Sequence, residues 1–297
     1  MKILRAQHLG MCFGVRDAIL LARQEASTRP ITILGELVHN EMVVADLRAR
    51  GVNIEFEPEC ATTPTVMITA HGASEKTLEK VRARGLNVLE ATCPLVHVAH
   101  RAVRQLVEQG YHPVIIGKRG HVEVRGLTED LAACDIVLNE EDVEQLQPHA
   151  RFGIAAQTTQ PVERVRHLAD LIRRRFPKSE VRFMDTVCQP TKQRQQAAVE
   201  LARQCDVVVV VGGANSNNTR ELAATCGRRG AQVHHVQTAA DLRPEWFEHA
   251  DTVGLTAGTS TPDAVIDGVE QWLHALAEHH TALVNKTEED HDLAHAH

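Results

Sequence analysis

The sequence has no apolar run long enough to span a membrane. Its first residues, Met1 to His8, run straight into a strand-like segment and lack the apolar core of a signal peptide. It carries no excess of positive charge. The formal net charge of −7 argues against a broad footprint on a phosphate backbone, so nucleic acid is not an expected partner. The cysteines do not form an even set. Seven of them, without an export signal, read as thiols or ligands rather than a disulfide framework. There is no C-x-x-C pair of the kind that marks many structural zinc sites. No G-x-G-x-x-G follows the apolar run from Asp206 to Gly213, which argues against a Rossmann cofactor site. These absences predict a cytoplasmic protein with no membrane span. Its 297 residues, 43% hydrophobic and 24% charged, are enough for two or three globular domains or one large core.

What is present centres on the stretch from Glu90 to His97. Cys93 ends a short apolar segment, and Pro94 suits the first turn of a helix. Helical spacing follows through Val96, Ala99, Val103 and Leu106. A thiol at a helix start faces unpaired N–H groups and the positive end of the dipole, an environment expected to lower its pKa and favour the metal-binding thiolate. One such cysteine, taken alone, reads more readily as a buried structural thiol.

The arrangement occurs three times. Cys12, Cys93 and Cys188 each precede a helical pattern and then a buried strand. The glycine ending that strand lies 23, 24 and 24 residues on, at Gly35, Gly117 and Gly212. A polar residue follows 27 or 28 residues after each cysteine: His39, His121 and Ser216. Second polar exits correspond as well, at His71-Gly72, Gln157-Thr158 and Gly258 to Ser260. The spacing predicts three α/β units with parallel sheets, divided as 13–93, 94–187, and 188–278 together with 1–12. Related by a pseudo-threefold axis, they would bring three thiolates and three polar clusters to one central cavity at the strand ends. Residues 279–297, with five histidines and no periodicity, read as a mobile tail with weak metal affinity.

Three cysteines from three units suit a metal centre lacking a fourth protein ligand. Zinc and iron–sulfur both remain open, and the wide spacing favours a 4Fe–4S cluster with one open iron. The polar exits suit a phosphorylated ligand, with His39, His71 and His121 offsetting its charge. Glu123, two residues after His121, is expected to have a raised pKa in a closed cavity near an anion and to act as an acid, although a helix-start carboxylate is the plainer alternative. Cys60, Cys134, Cys205 and Cys226 do not repeat in register, nor do His8, His97, His100, His112, His234 and His235, so they read as ordinary core or surface residues.

Taken together, Gly10 to Val15, Leu37 to Asn40, Ala70 to Gly72, Ala91 to Val96, Gly120 to Val124, Gln157 to Thr159, Thr186 to Cys188, Asn215 to Thr219 and Thr256 to Pro262 closely resemble the LytB/IspH family of 4-hydroxy-3-methylbut-2-enyl diphosphate reductases. The resemblance covers about residues 3 to 272, in order and in spacing. It implies a trefoil of three α/β domains around one 4Fe–4S cluster per chain, held by Cys12, Cys93 and Cys188 with one iron open. It places His39, His71 and His121, with Ser216, Asn217, Asn218 and Ser260, around the substrate diphosphate. Asn217 stands where many members have Ser, and an amide still donates to phosphate. Glu123 corresponds to the proton donor, and Thr158 to the threonine that orders the substrate hydroxyl. The implied reaction is reductive dehydroxylation to isopentenyl and dimethylallyl diphosphates, the last step of the methylerythritol phosphate route, with ferredoxin or flavodoxin as electron donor. Two other readings compete: a non-catalytic iron–sulfur sensor, which would need the cysteines but not Glu123 and the histidines, and a zinc hydrolase of a phosphorylated substrate using His121 and Glu123.

Overall fold

The computed structural model describes residues 1–294, and side chains through residue 279. Twelve strands, numbered in chain order, are β1 Lys2–Arg5, β2 Ile31–Leu34, β3 Asn53–Glu55, β4 Thr65–Ile68, β5 Asn87–Glu90, β6 His112–Ile116, β7 Asp135–Val137, β8 Arg151–Ala156, β9 Glu180–Phe183, β10 Val207–Val211, β11 Gln232–Val236 and β12 Thr252–Ala257. The helices are α1 Phe13–Ala26, α2 Glu41–Ala49, α3 Glu75–Ala83, α4 Pro94–Glu108, α5 Val122–Thr128, α6 Glu140–Glu144, α7 Val162–Arg175, α8 Gln189–Ala202, α9 Asn217–Gly227 and α10 Asp263–Ala294. Residues 279–294, expected as an aperiodic tail, are thus the end of a helix, and 295–297 lie outside the described residues.

The strands form three four-stranded sheets in which every pairing is parallel: β3-β2-β4-β5, β7-β6-β8-β9 and β11-β10-β12-β1. This is the α/β class that alternating strand and helix patterns imply. The same order recurs each time. The chain enters at the second position, crosses to one edge, returns to the third position and ends at the other edge. In the third sheet that last place is taken by the N-terminal strand, with Lys2–Arg5 in register with Thr252–Leu255.

By contacts the chain divides into two compact units, Met1–Met11 with Gln193–His297, and Cys12–Lys192. The larger unit holds the first two sheets, and the smaller holds the third. Central strands are buried on both faces, as parallel sheets covered by helices require. β10 is five consecutive valines, all buried, and β8 is buried from Phe152 to Ala156. The second sheet packs Ile116, Phe152 and Ile154 against Leu168 and Ile172 of α7. The third packs Val209 and Leu255 against Ile266, Val269 and Leu273 of α10.

Strand order reverses between the second and third positions of each sheet. Crossovers leave there toward opposite edges, so a crevice opens outside the carboxyl ends of that strand pair. The first sheet places His39 after β2 and His71 after β4. The second places His121 and Glu123 after β6 and Thr158 after β8. The third places Ser216 to Asn218 after β10 and Ser260 after β12. Each sheet's last edge strand leads into a cysteine: Cys93 after β5, Cys188 after β9 and Cys12 after β1.

Candidate active site

In the larger unit the chain turns out of β2 through Gly35, which adopts a positive φ of 88°, and places His39 just before Asn40. Asn40 caps α2, its side chain accepting from the Met42 and Val43 amides. His39 Nδ1 lies 3.2 Å from Glu36 Oε2. A carboxylate can only accept, so Nδ1 carries the proton when Glu36 is ionised. His121 caps α5, its Nδ1 accepting from the Glu123 amide at 3.2 Å. That contact fixes the neutral tautomer with the proton on Nε2.

The rings of His39, His71 and His121 lie 4.9, 5.3 and 5.6 Å apart, centre to centre. One ligand nitrogen from each comes within 4.8 Å of the others. Burial, and the proximity of the other two rings, hold His71 well below the usual imidazole range. Burial first, then His39 and Lys118, pulls His121 down to about 3. His71 and His121 are therefore neutral at pH 7 and would meet an anion as N–H donors rather than as cations. His71 Nδ1 is buried without a hydrogen-bond partner, which leaves a polar atom for a ligand to satisfy.

Glu123 is 1% exposed. Its Oε1 accepts from the Thr158 amide at 2.6 Å and its Oε2 from Thr158 Oγ1 at 2.9 Å. Burial raises its pKa to about 7 against the pull of these two donors. Near neutral pH the group is poised between acid and base, the condition that general acid chemistry favours.

Cys12 and Cys93 stand at the N-cap positions of α1 and α4, and Cys188 immediately precedes α8. All three are half-buried free thiols. Thr191 Oγ1 lies 3.1 Å from Cys188 Sγ. At Cys93 and Cys188 the thiol pKa is raised, not lowered as expected. Amide groups at the helix starts do favour the thiolate, but desolvation outweighs them. Burial raises Cys93 and takes Cys188 up to about 11, with Cys12 and Glu123 adding to both. Protonated thiols in this setting need a cation to displace their protons.

Cys93 owes its approach to the start of α1 to a residue the periodic pattern passes over. A Cβ on Gly14 would fall 2.4 Å from Cys93 Sγ and 3.0 Å from Cys93 Cβ, so only glycine lets that thiol lie against the start of α1. Its signal was the glycine two residues after Cys12.

In the smaller unit Ser216 caps α9, accepting from the Thr219 amide at 3.3 Å. The helix starts at Asn217, so Asn217 and Asn218 lie in its first turn, where backbone N–H groups lack intrahelical partners. Both amide nitrogens, Asn217 Nδ2 and Asn218 Nδ2, are buried and unpartnered. Ser260 is also buried. Gly258 and Gly212 close around Thr219: a Cβ on either would come 2.1 or 2.6 Å from Thr219 Oγ1. Arg194, missed by spacing arguments, is buried and donates through Nε and Nη2 to the Gly10 carbonyl at 2.9 and 2.7 Å, pinning the turn that leads to Cys12.

Among the described residues, no helix is long and apolar enough to cross a membrane. The 4-hydroxy-3-methylbut-2-enyl diphosphate reductase of Aquifex aeolicus is 37% identical over 282 residues, covering 93% of this chain and 97% of that one. That of Trichlorobacter lovleyi is 36% identical over 282 residues, covering 94% and 100%. The solved E-1-hydroxy-2-methyl-but-2-enyl-4-diphosphate reductase of Plasmodium falciparum superimposes with a TM-score of 0.85 at 26% identity, covering 90% of this chain and 86% of that one. A solved (E)-4-hydroxy-3-methyl-but-2-enyl diphosphate reductase, described as the terminal enzyme of the non-mevalonate pathway, matches at 37% identity with a TM-score of 0.66, covering 93% and 100%. The family profile described as LytB protein matches residues 3–274, and the chain belongs to that family.

Proposed function

We propose that this chain is a reductase that removes the hydroxyl of (E)-4-hydroxy-3-methylbut-2-enyl diphosphate, giving isopentenyl and dimethylallyl diphosphates. The observation that carries the reading is the buried Glu123–Thr158 pair, poised near neutrality beside half-buried, uncharged imidazoles. Reductive dehydroxylation consumes two electrons and two protons, breaks the allylic C–O bond and releases water.

Cys12, Cys93 and Cys188 would hold the metal centre. Two metal-sized ligand clusters occur among the described residues, and neither contains a cysteine. Three thiolates on one tetrahedral ion, with bonds of about 2.3 Å, would stand only about 3.8 Å apart. A wider set of three suits a polynuclear 4Fe–4S centre with one iron left open. When bound, such a cluster supplies Lewis acidity and one-electron transfer.

The chain's own residues do the rest. Glu123 holds the proton that leaves with the substrate oxygen. Thr158 keeps both carboxyl oxygens in place through its amide and hydroxyl, and its hydroxyl orders the substrate hydroxyl. His39, His71 and His121, together with Ser216, Asn217, Asn218 and Ser260, are assigned to the substrate, chiefly its diphosphate. The buried amide and imidazole N–H groups fix orientation without the desolvation cost of cationic side chains. The division into units 13–93, 94–187 and 188–278 with 1–12 belongs to the same reading, because each sheet's last strand then delivers one cysteine. We assign the electrons to a ferredoxin- or flavodoxin-type carrier and the protein to the cytoplasm. The test is anaerobic turnover of the hydroxylated allylic diphosphate with a one-electron reductant. Both isoprenoid diphosphates should form, and Glu123→Gln should retain iron while losing most turnover. Phosphate release without reduction would favour a hydrolase instead.

A further inference from the structure

A second cluster of ligand-type side chains lies at the opposite end of the second sheet from Glu123 and Thr158. His112 opens β6, Asp135 opens β7, and His149 sits two residues before β8. Three neighbouring strands therefore each bring one side chain to the amino end of the sheet. One ligand atom from each lies within 4.8 Å of the other two. His112 Nε2 is 2.8 Å from Asp135 Oδ2. The rings of His112 and His149 stack at 3.7 Å with 3° between their planes. All three residues are half-buried.

The frame around the cluster is stiff. Pro113 follows His112 and Pro148 precedes His149, which restricts the backbone on both sides. Ser179 Oγ donates to the His149 carbonyl at 2.6 Å. The fully buried Phe152 ring lies edge-on to both imidazoles, at 6.2 and 5.4 Å, and forms an apolar wall behind them. Asp135 is the open side, with 40% of its side chain exposed.

We propose that His112, Asp135 and His149 form a second metal site, taking a divalent ion of the zinc class with water completing its coordination. Two imidazoles and one carboxylate are a ligand set that Zn²⁺ and its neighbours in the first transition row accept. A ring nitrogen donates in the plane of its ring, so two parallel rings cannot address one ion. Binding tilts His149 out of the stack, and contact with Phe152 limits that tilt. The ion would tie together the starts of β6 and β7 and the approach to β8, far along the strands from the catalytic end. This site is independent of the cysteine-bound centre.

The test uses the full chain, purified anaerobically with its own metal and dialysed to equilibrium against Zn²⁺. Zinc and iron are counted per chain in wild type, His149→Phe and Asp135→Asn. Phenylalanine keeps the stack on His112 and the contact with Phe152 but cannot ligate, and the C-terminal histidines are identical in all three proteins. Wild type should hold one zinc more than either variant at equal iron content. Zn²⁺ should also raise the melting temperature of wild type and leave that of the variants unmoved. Equal zinc in wild type and both variants, at equal iron, overturns the proposal and leaves the cluster as a stacked, hydrogen-bonded pair. Should His149→Phe fail to fold, Asp135→Asn decides by the same count.

Discussion

Gly14→Ala isolates the cysteine geometry from everything else in the molecule. The added methyl would stand 2.4 Å from Cys93 Sγ. Ordinary contact between carbon and sulfur is roughly 3.7 Å, so the overlap is about 1.3 Å. The thiol cannot simply swing aside, because Cys93 Cβ is only 3.0 Å from the same methyl. Metal–ligand distances tolerate about 0.2 Å, so a shift of this size takes Cys93 out of ligand range. Overpacking costs about 1–3 kcal/mol, and alanine in place of glycine in a helix returns up to about 1 kcal/mol, so the fold should survive. Gly268→Ala is the control, since a Cβ there meets nothing within 4 Å. Iron per chain after anaerobic reconstitution, read beside the melting temperature, separates the two effects. Gly14→Ala should fall to the iron content of Cys93→Ala with a melting temperature near wild type, while Gly268→Ala keeps its iron. Full iron and full turnover in Gly14→Ala would refute the argument.

Glu123 gives a pH signature. Its folded pKa of about 7 lies above the unfolded value of 4.5, so the folded chain keeps a proton that the unfolded chain releases. Its contribution is therefore fully present below the unfolded value and is lost as pH rises through about 7, on the order of 3 kcal/mol in all. Wild type should lose stability relative to Glu123→Gln across that window in denaturant titrations, and a constant difference would contradict the burial argument. His121 acts in the opposite sense: its pKa is lowered to about 3, so its contribution is present above 6.5 and lost as pH falls toward 3. Thr158→Val removes the Oγ1 donor and should raise the Glu123 pKa further, moving the stability step to higher pH. Ser216→Ala should cost about 1 kcal/mol by loss of the α9 cap and raise KM for the diphosphate more than it lowers kcat. An unchanged KM would remove Ser216 from the binding role.

The sequence made the central strands and the helix starts legible for a physical reason. Strands buried on both faces, such as Val207–Val211, are continuous apolar runs, and the helices between them carry clear periodicity. Two of the edge strands were hidden. Asn53–Glu55 and Gln232–Val236 are short or polar and mostly half-exposed, as edges that avoid further pairing tend to be. Helix α9 begins at Asn217, earlier than its apolar spacing from Arg220 implies, because Ser216 caps it and polar side chains fill its first turn. The positions of Glu123, Thr158 and the three histidines followed from their register after the strands. The raised pKa of Glu123 followed too, but the neutral state of His71 and His121 did not, since it depends on desolvation that spacing cannot report. Gly14 was invisible to periodicity because its role is to leave room. His112 and His149 were passed over because neither repeats across the units.

The central proposal is that Cys12, Cys93 and Cys188 would hold a 4Fe–4S cluster at the site where the allylic diphosphate binds. The most direct measurement is an anaerobic visible spectrum with iron and sulfide analysis, taken before and after adding that substrate. About four irons and about four sulfides per chain, with a spectrum that shifts on binding in wild type and loses its intensity in Cys93→Ala, are predicted. Zinc with no sulfide, or a cluster spectrum indifferent to both the substrate and Cys93→Ala, would contradict it.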